Sequence, residues 1–259
     1  MAVQKAEGII LKKYFLRETS YIIVAFTKEF GKIKGVIKGI RAPYPQFAGN
    51  FEIFTQCRLL FYKKKKKAMD LITQCETLDF FLPIRKDIER LTYANYFIEL
   101  VNVVTNEYDV NEEIYRILTE SLKLLASKIS ARRAARIFEL KLLNVLGLNP
   151  QMEVCARCGY AGDGLNLFSV KNGGVLCEKC GKVSGAFISL SNGTVNFIKK
   201  IQQNDFDKIA QIKVSKEVGR ETEVILKKFL GYYINYPIKS LKFLEEIEKI
   251  KTRYTSFVS

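Results

Sequence analysis

Two Cys-x-x-Cys pairs, Cys155/Cys158 and Cys177/Cys180, stand eighteen residues apart in a chain of 259 residues. No other feature of the sequence constrains the fold as tightly. Each pair is short enough for both thiolates to turn onto one ion, and the separation suits a four-cysteine zinc element at about residues 150–185. The connecting arm reads as a hairpin. Leu165, Leu167 and Val170 precede a turn at Asn172–Gly174, and Val175 and Leu176 lead back to the second pair. Gly159 and Gly181 follow the second cysteine of each pair, where a tight turn favours glycine. Two disulfides, or four buried free thiols, are the alternatives that spacing alone leaves open.

A zinc ion held by four thiolates is structural, because a closed shell leaves no position for water or substrate. The expectation is one such ion per chain. The sequence contains no histidine. Histidine general bases, Ser-His-Asp triads and His-Glu-x-x-His peptidases are therefore excluded. Gly31-Lys32 and Gly181-Lys182 are followed by Ile and Val rather than Ser or Thr, and neither has the upstream glycine of a phosphate-binding loop. Asp205 and Asp207 are the nearest approach to a nuclease-type acidic cluster, and they read as a polar helix end. No Lys-x-Asp-Gly ligase motif occurs. The chain is expected not to be an enzyme.

The formal charge is +15, well beyond the roughly 2–8 units that solubility asks of a small domain. Such a balance points to a polyanion, nucleic acid before anionic membrane. No apolar run reaches the length of a membrane span, and Met1–Tyr14 lacks the apolar core and cleavage site of a signal peptide. Cys57 and Cys75 lie in apolar stretches and read as buried free thiols. These points fit a reducing cytoplasm and no membrane.

Residues 1–82 read as β structure. Glu7–Phe15, Ser20–Thr27, Lys32–Ile40, Phe51–Tyr62 and Met69–Glu76 are the expected strands. On the third, Lys32, Lys34, Val36 and Lys38 share one face, and Ile33, Gly35, Ile37 and Gly39 the other. Five short strands in so few residues suggest a small closed barrel. This segment holds 15 Lys/Arg and 7 Asp/Glu, net +8, and the rest of the chain nets +7 over twice the length. Lys34, Lys38 and Arg41, the run Lys63, Lys64, Lys65, Lys66 and Lys67, and the rings Tyr44, Phe47 and Phe61 form a basic-aromatic set suited to single strands. The competing assignment is core for Phe47 and Phe61 and plain solvation for the lysines.

From Pro83 the period becomes helical. Helices are expected over Pro83–Val104, after a cap at Asn111, over Ala131–Leu146 with Gly147 and Pro150 ending it, from Ser191, over Ser215–Tyr233 and over Ser240–Arg253. Arg132, Arg133 and Arg136 form a second candidate basic patch, with an ordinary solvated helix face as the alternative. The expected class is α+β: a barrel at 1–82 and a helical domain at 83–259 with the four-cysteine element inserted.

The chain resembles the RecO family of bacterial recombination mediators over essentially its whole length. The resemblance rests on Glu7–Leu11, Phe26–Lys32, Lys38–Arg41, Leu91–Leu100, Phe138–Leu143, the four cysteines and Ser240–Leu244, in that order. It implies an OB-fold barrel joined to a helical domain with a four-cysteine zinc site, in a cytoplasmic, nucleoid-associated DNA repair protein. It further implies binding to single- and double-stranded DNA, annealing of complementary strands, and action with RecR to load RecA onto DNA coated by single-strand-binding protein. The coat protein's acidic tail is the implied docking partner. Such a tail needs a basic rim and an apolar slot, for which Arg132, Arg133, Arg136, Phe138, Phe229, Tyr232 and Tyr233 are the candidates. The sequence departs from the family at Ala42–Gln46, where more basic residues are usual. That implies weaker DNA contact there, or reliance on Tyr44 and the Lys63–Lys67 loop.

Annealing needs no chemical step, since neutralising phosphates removes repulsion and pairing supplies the free energy. An RNA-binding or ribosome-associated zinc protein is the alternative, because phosphate contacts read neither sugar nor sequence.

Overall fold

A computed structural model describes residues 2–16, 18–39, 51–64, 69–234, 237–244 and 246. Arg41, Tyr44, Phe47 and Lys65–Lys67 lie outside the described residues. The chain divides into two compact units, one of residues 1–127 with 238–259, the other of 128–237.

In the first unit, β1 (Val3–Leu16), β2 (Ser20–Thr27), β3 (Gly31–Ile37), β4 (Gln56–Tyr62) and β5 (Asp70–Asp79) close a barrel in the order β1-β2-β3-β5-β4. The long β1 serves both neighbours. Gly8 pairs with Thr27 of β2 and with Cys57 of β4, and a bulge between Ile10 and Lys12 bends the strand from one partner to the other. The parallel pairing of Gly35 with Asp70 and Val36 with Leu71 closes the circle. Alternation then fills the interior: Ile10, Ile23, Ala25, Ile33, Ile37, Cys57, Leu59, Phe61, Ile72 and Cys75 form one buried cluster. Phe61 is therefore core, and Cys57 and Cys75 are buried free thiols.

The expected strand Phe51–Tyr62 is shorter than its pattern. Residues 51–55 turn instead, with Phe54 in the left-handed region at φ 51°. Phe51 and Phe54 bury their rings, and the Phe54 amide still donates to the Ile10 carbonyl of β1 at 2.7 Å. Arg85 holds the turn in place. Its guanidinium donates to the Ile53 carbonyl and to Thr55 Oγ1, both at 2.9 Å, and lies 4.1 Å from the Phe54 ring centre. Burial lowers the pKa of that guanidinium from its usual value.

The expected helix Pro83–Val104 is two helices, α1 (Leu82–Arg85) and α2 (Ile88–Val104). Asp87 makes the break. Its backbone is extended, and its carboxylate accepts from the amides of Glu89 at 2.9 Å and Arg90 at 3.0 Å. A carboxylate that can satisfy the first free amides of a helix favours starting a new one. Asn111 caps α3 (Glu112–Ala126) as expected, accepting from Ile114 N at 2.9 Å. Of the expected last helix, residues 239–244 are described and are helical. The Glu99 carboxylate caps it, accepting from the amides of Lys239 and Ser240, each at 2.9 Å.

In the second unit, α4 (Ala131–Val145), α6 (Asn192–Gln203) and α8 (Lys216–Tyr233) pack on one another around Phe138, Ile198, Ile201, Ile225, Leu226 and Phe229. Ser130, Ser191 and Ser215 cap these helices. Between α4 and α6 lie β6 (Leu167–Ser169), β7 (Gly174–Leu176), α5 (Glu178–Ser184) and β8 (Ile188–Ser189); α7 (Phe206–Ala210) precedes α8. The expected hairpin is β6–β7, and β8 adds a third strand to it.

The arginines of α4 do not form a continuous surface patch. Arg132 is exposed. Arg133 donates to the carbonyls of Ile209 at 3.0 Å and Ala210 at 2.9 Å, closing the end of α7. Arg136 is buried and paired at 3.0 Å with Glu139, itself buried. Removing one partner of a buried ion pair strands the other charge, at a cost of about 3–5 kcal/mol. Chemical denaturation of Arg136→Ala should show a loss of that size, and Arg132→Ala less than about 1 kcal/mol.

Candidate metal centre and nucleic-acid interface

The four cysteines converge in the second unit. The Sγ atoms of Cys155, Cys158, Cys177 and Cys180 all lie within 4.8 Å of one another, and Cys158 and Cys177 are 3.8 Å apart. A tetrahedron with zinc–sulfur bonds of about 2.3 Å has sulfurs about 3.8 Å apart. The sulfurs meet at one point, not in two bonded pairs, which disfavours the disulfide alternative.

Two different turns deliver them. In the first, the Gly159 amide donates to the Cys155 carbonyl at 2.9 Å, and Gly159 has φ +75°, a conformation that glycine adopts without strain. The Ala156 amide donates to Val175 of β7 at 2.8 Å, tying this turn to the hairpin. In the second, Cys177 precedes α5 and Cys180 lies in its first turn. Gly181 is therefore helical, which corrects the expected tight turn at that position. Its need is space: a Cβ there would sit 2.4 Å from Leu167 Cδ1.

Burial opposes ionisation of Cys155, yet the amides of Cys177, Cys158 and Arg157 bring its thiol down to about 6. Burial and the neighbouring sulfurs push Cys180 up to about 12. Four thiolates this close repel strongly, so full ionisation of the set requires a cation at its centre. The donor set fits a soft or borderline metal ion.

The barrel carries the second candidate site. Cross-strand register puts Lys12, Val24 and Lys34 in one row on its outer face. Tyr14, Ile22, Val36 and Leu71 make the next row. Lys38 follows β3 and is exposed. Residues facing each other across strands stand about 5 Å apart, so Lys12 and Lys34 flank one strip beside the Tyr14 ring. Lys12 and Lys34 are half-buried.

Lys32 shares this face but is already engaged. Its ammonium donates to the carbonyls of Asn102 at 2.7 Å and Thr105 at 2.5 Å, at the end of α2. Burial lowers its pKa from the usual lysine value. Lys63 and Lys64 are exposed next to the barrel, with Lys63 Nζ 4.2 Å above the Tyr108 ring. The Lys64 amide donates to the buried Asp70 at 3.0 Å.

Lys12, Tyr14 and Phe15 were not among the expected contacts. Their signal was present as the basic-aromatic run Lys12-Lys13-Tyr14-Phe15. The bulge after Ile10 is what turns Lys12 and Tyr14 outward. Of the candidate docking rings, Phe138 and Phe229 are core, while Tyr232 and Tyr233 are exposed. No helix among the described residues is long and apolar enough to cross a membrane.

A small closed β-barrel with a lysine-bearing face, in a chain that also holds four convergent cysteines able to bind a metal ion among packed helices, defines a class of OB-like barrel proteins with an appended helical unit. The comparisons with known proteins narrow the class. Residues 1–81 match the family model described as "Recombination protein O N terminal", and 85–242 match "Recombination protein O C terminal". The chain belongs to the RecO family of DNA repair proteins. It is 30% identical to the "DNA repair protein RecO" of Moorella thermoacetica, covering 94% of this chain and 91% of that one. The protein of the same name from Pelotomaculum thermopropionicum is 31% identical, covering 95% and 94%. That from Listeria monocytogenes is 28% identical, covering 95% and 96%.

Proposed function

We propose that this chain is a non-enzymatic recombination mediator. It binds single- and double-stranded DNA, anneals complementary strands, and with RecR helps to load RecA onto DNA coated by single-strand-binding protein. One zinc per chain, held by Cys155, Cys158, Cys177 and Cys180, shapes the helical unit, and the protein works in the bacterial cytoplasm at the nucleoid. The observation that carries this reading is the barrel's outer face, where Lys12, Lys34 and Lys38 project beside Tyr14 on a family member's OB-type barrel. Cations on a rigid sheet neutralise phosphates of two strands at once, and base pairing then supplies the driving force. Arg41, Tyr44 and Lys63–Lys67 extend the same basic set.

The test is annealing of complementary strands without ATP, on bare DNA and on DNA coated by single-strand-binding protein with and without its acidic tail. Annealing of bare strands at low salt is expected, with coated strands annealing only when the tail is present. Absence of annealing on bare strands would overturn the mediator reading, and tighter binding to RNA than to DNA of the same sequence would favour the RNA-binding alternative. Tail-independent annealing of coated strands would overturn the docking partner alone.

A further inference from the structure

The link between α2 and α3 meets the barrel at the first residues of β3 and β5, through Tyr108. Tyr108 has φ 60°, a left-handed backbone that a bulky residue adopts only where its surroundings hold it. Its amide donates to the Lys32 carbonyl at 2.9 Å. Its hydroxyl donates to the buried Asp70 carboxylate. The next residue passes so close to Gly31 that a Cβ there would sit 2.1 Å from the Asp109 carbonyl oxygen. Burial and the Asp70 carboxylate raise the pKa of the Tyr108 phenol above its usual value, so it stays a donor. The ring fixed in this way carries Lys63 on its face, with Nζ 4.2 Å from its centre and 5.9 Å from that of Phe30. Phe30 is set edge-on against the core ring of Phe61, at 5.4 Å. Asp70 is occupied by the Tyr108 hydroxyl and the Lys64 amide, and among the described residues no carboxylate pairs with Lys63.

We infer that Tyr108 is a positioning residue: its ring holds the Lys63 ammonium in place without neutralising it, and so presets one phosphate contact. This rests on the DNA-binding reading above and adds to it a residue outside the barrel strands. A carboxylate partner would also order the lysine, but it would cancel the charge and occupy the N–H donors. A ring face attracts the ammonium through its quadrupole and carries no net charge, so the donors turned away from the ring stay open to an anion. A lysine free in solvent has to be immobilised when it binds, and that ordering weakens association. At Lys63 folding has already done the ordering. The same Asp70 carboxylate that fixes Tyr108 fixes the backbone at Lys64, so ring and lysine are held by one group. Charge and positioning separate in salt. The number of phosphate contacts sets the slope of affinity against salt, whereas ordering changes the affinity and leaves the number of released counterions alone.

The experiment measures binding of the full chain to a DNA single strand at several salt concentrations, for the parent, Lys63→Ser, Tyr108→Leu, Tyr108→Phe and the Lys63→Ser, Tyr108→Leu double variant. Lys63→Ser should flatten the salt slope by about 0.7. Tyr108→Leu should weaken binding about fivefold at the parent slope, and should add nothing once Lys63 is replaced. Tyr108→Phe should bind like the parent, because it keeps the ring. Equal losses from Tyr108→Leu with and without Lys63, no loss from it, as large a loss from Tyr108→Phe, or an unchanged slope in Lys63→Ser would each overturn the inference and leave DNA binding standing. A measurement on the parent needs no variant to fold: ring current should shift the Lys63 side-chain methylene resonances upfield, with and without DNA, and unshifted resonances would also overturn it. Parent chain that binds no strand would overturn the DNA-binding reading itself.

Discussion

Replacing any one of Cys155, Cys158, Cys177 or Cys180 by alanine is expected to abolish zinc binding and to unfold residues 151–190. The three strands there have three, three and two residues, too short to persist alone. Phe168, Val175 and Leu176 are buried among them, and Phe168 packs 5.9 Å from Phe229 of α8. Structural zinc contributes about 10–16 kcal/mol in small zinc-dependent folds, comparable to the whole stability of a typical domain at about 5–15 kcal/mol. The four substitutions separate metal from packing. Cys155 is buried and Cys158 is exposed. Packing alone would make Cys155→Ala costly and Cys158→Ala nearly silent, whereas a shared ion makes all four alike. Metal analysis together with hydrogen exchange should find about one zinc in the parent chain, none in the variants, and protection lost over 151–190 while the barrel strands keep theirs. A silent Cys158→Ala with the zinc retained would refute the four-thiolate site.

The second large effect is on DNA. Each phosphate contact on a single strand contributes about −0.7 to the slope of log affinity against log salt. Replacing Lys12, Lys34 and Lys38 by serine should flatten that slope by about 2 and weaken single-strand binding about 30-fold near 0.2 M salt. Stability should change little, because Lys34 and Lys38 face outward and Lys12 sits on the same strip. Lys32→Ser is the contrasting variant. It removes the ammonium that joins β3 to the end of α2, so its expected cost is in folding and not in salt slope. An unchanged slope in the triple variant would move the phosphate contacts to the Lys63–Lys67 run. It would not move them to α4, where Arg133 and Arg136 are spent on carbonyls and on Glu139.

Much of the architecture was legible because it depends on near neighbours. The alternation from Gly31 to Ile37 appears in the structure residue by residue. Asn111 caps the helix it was expected to cap, and Ser191 and Ser215 cap the helices expected to begin at those residues. The cysteine spacing led to the convergent sulfurs, since two short turns and a hairpin need no distant partner. Where the pattern misled, a tertiary contact had overridden it. Residues 51–55 are apolar enough for a strand, but Arg85, thirty residues on, holds them in a turn.

What the sequence determined by itself was the kind of protein: a basic barrel, a helical unit, and a group of four cysteines able to hold a metal ion. What only the tertiary structure decided was which charges are available. Lys32 and Lys34 share a strand and a face, yet one is bound by carbonyls at the end of α2 while the other is half-buried on the barrel's outer face. Arg132 and Arg136 share a helix, yet one is exposed and the other lies buried beside Glu139. Lys12 and Tyr14 reach the outer face through a bulge that only strand pairing reveals. Charge is a property of the residue, but its availability to a ligand depends on the groups that folding brings against it, and those lie far away along the chain.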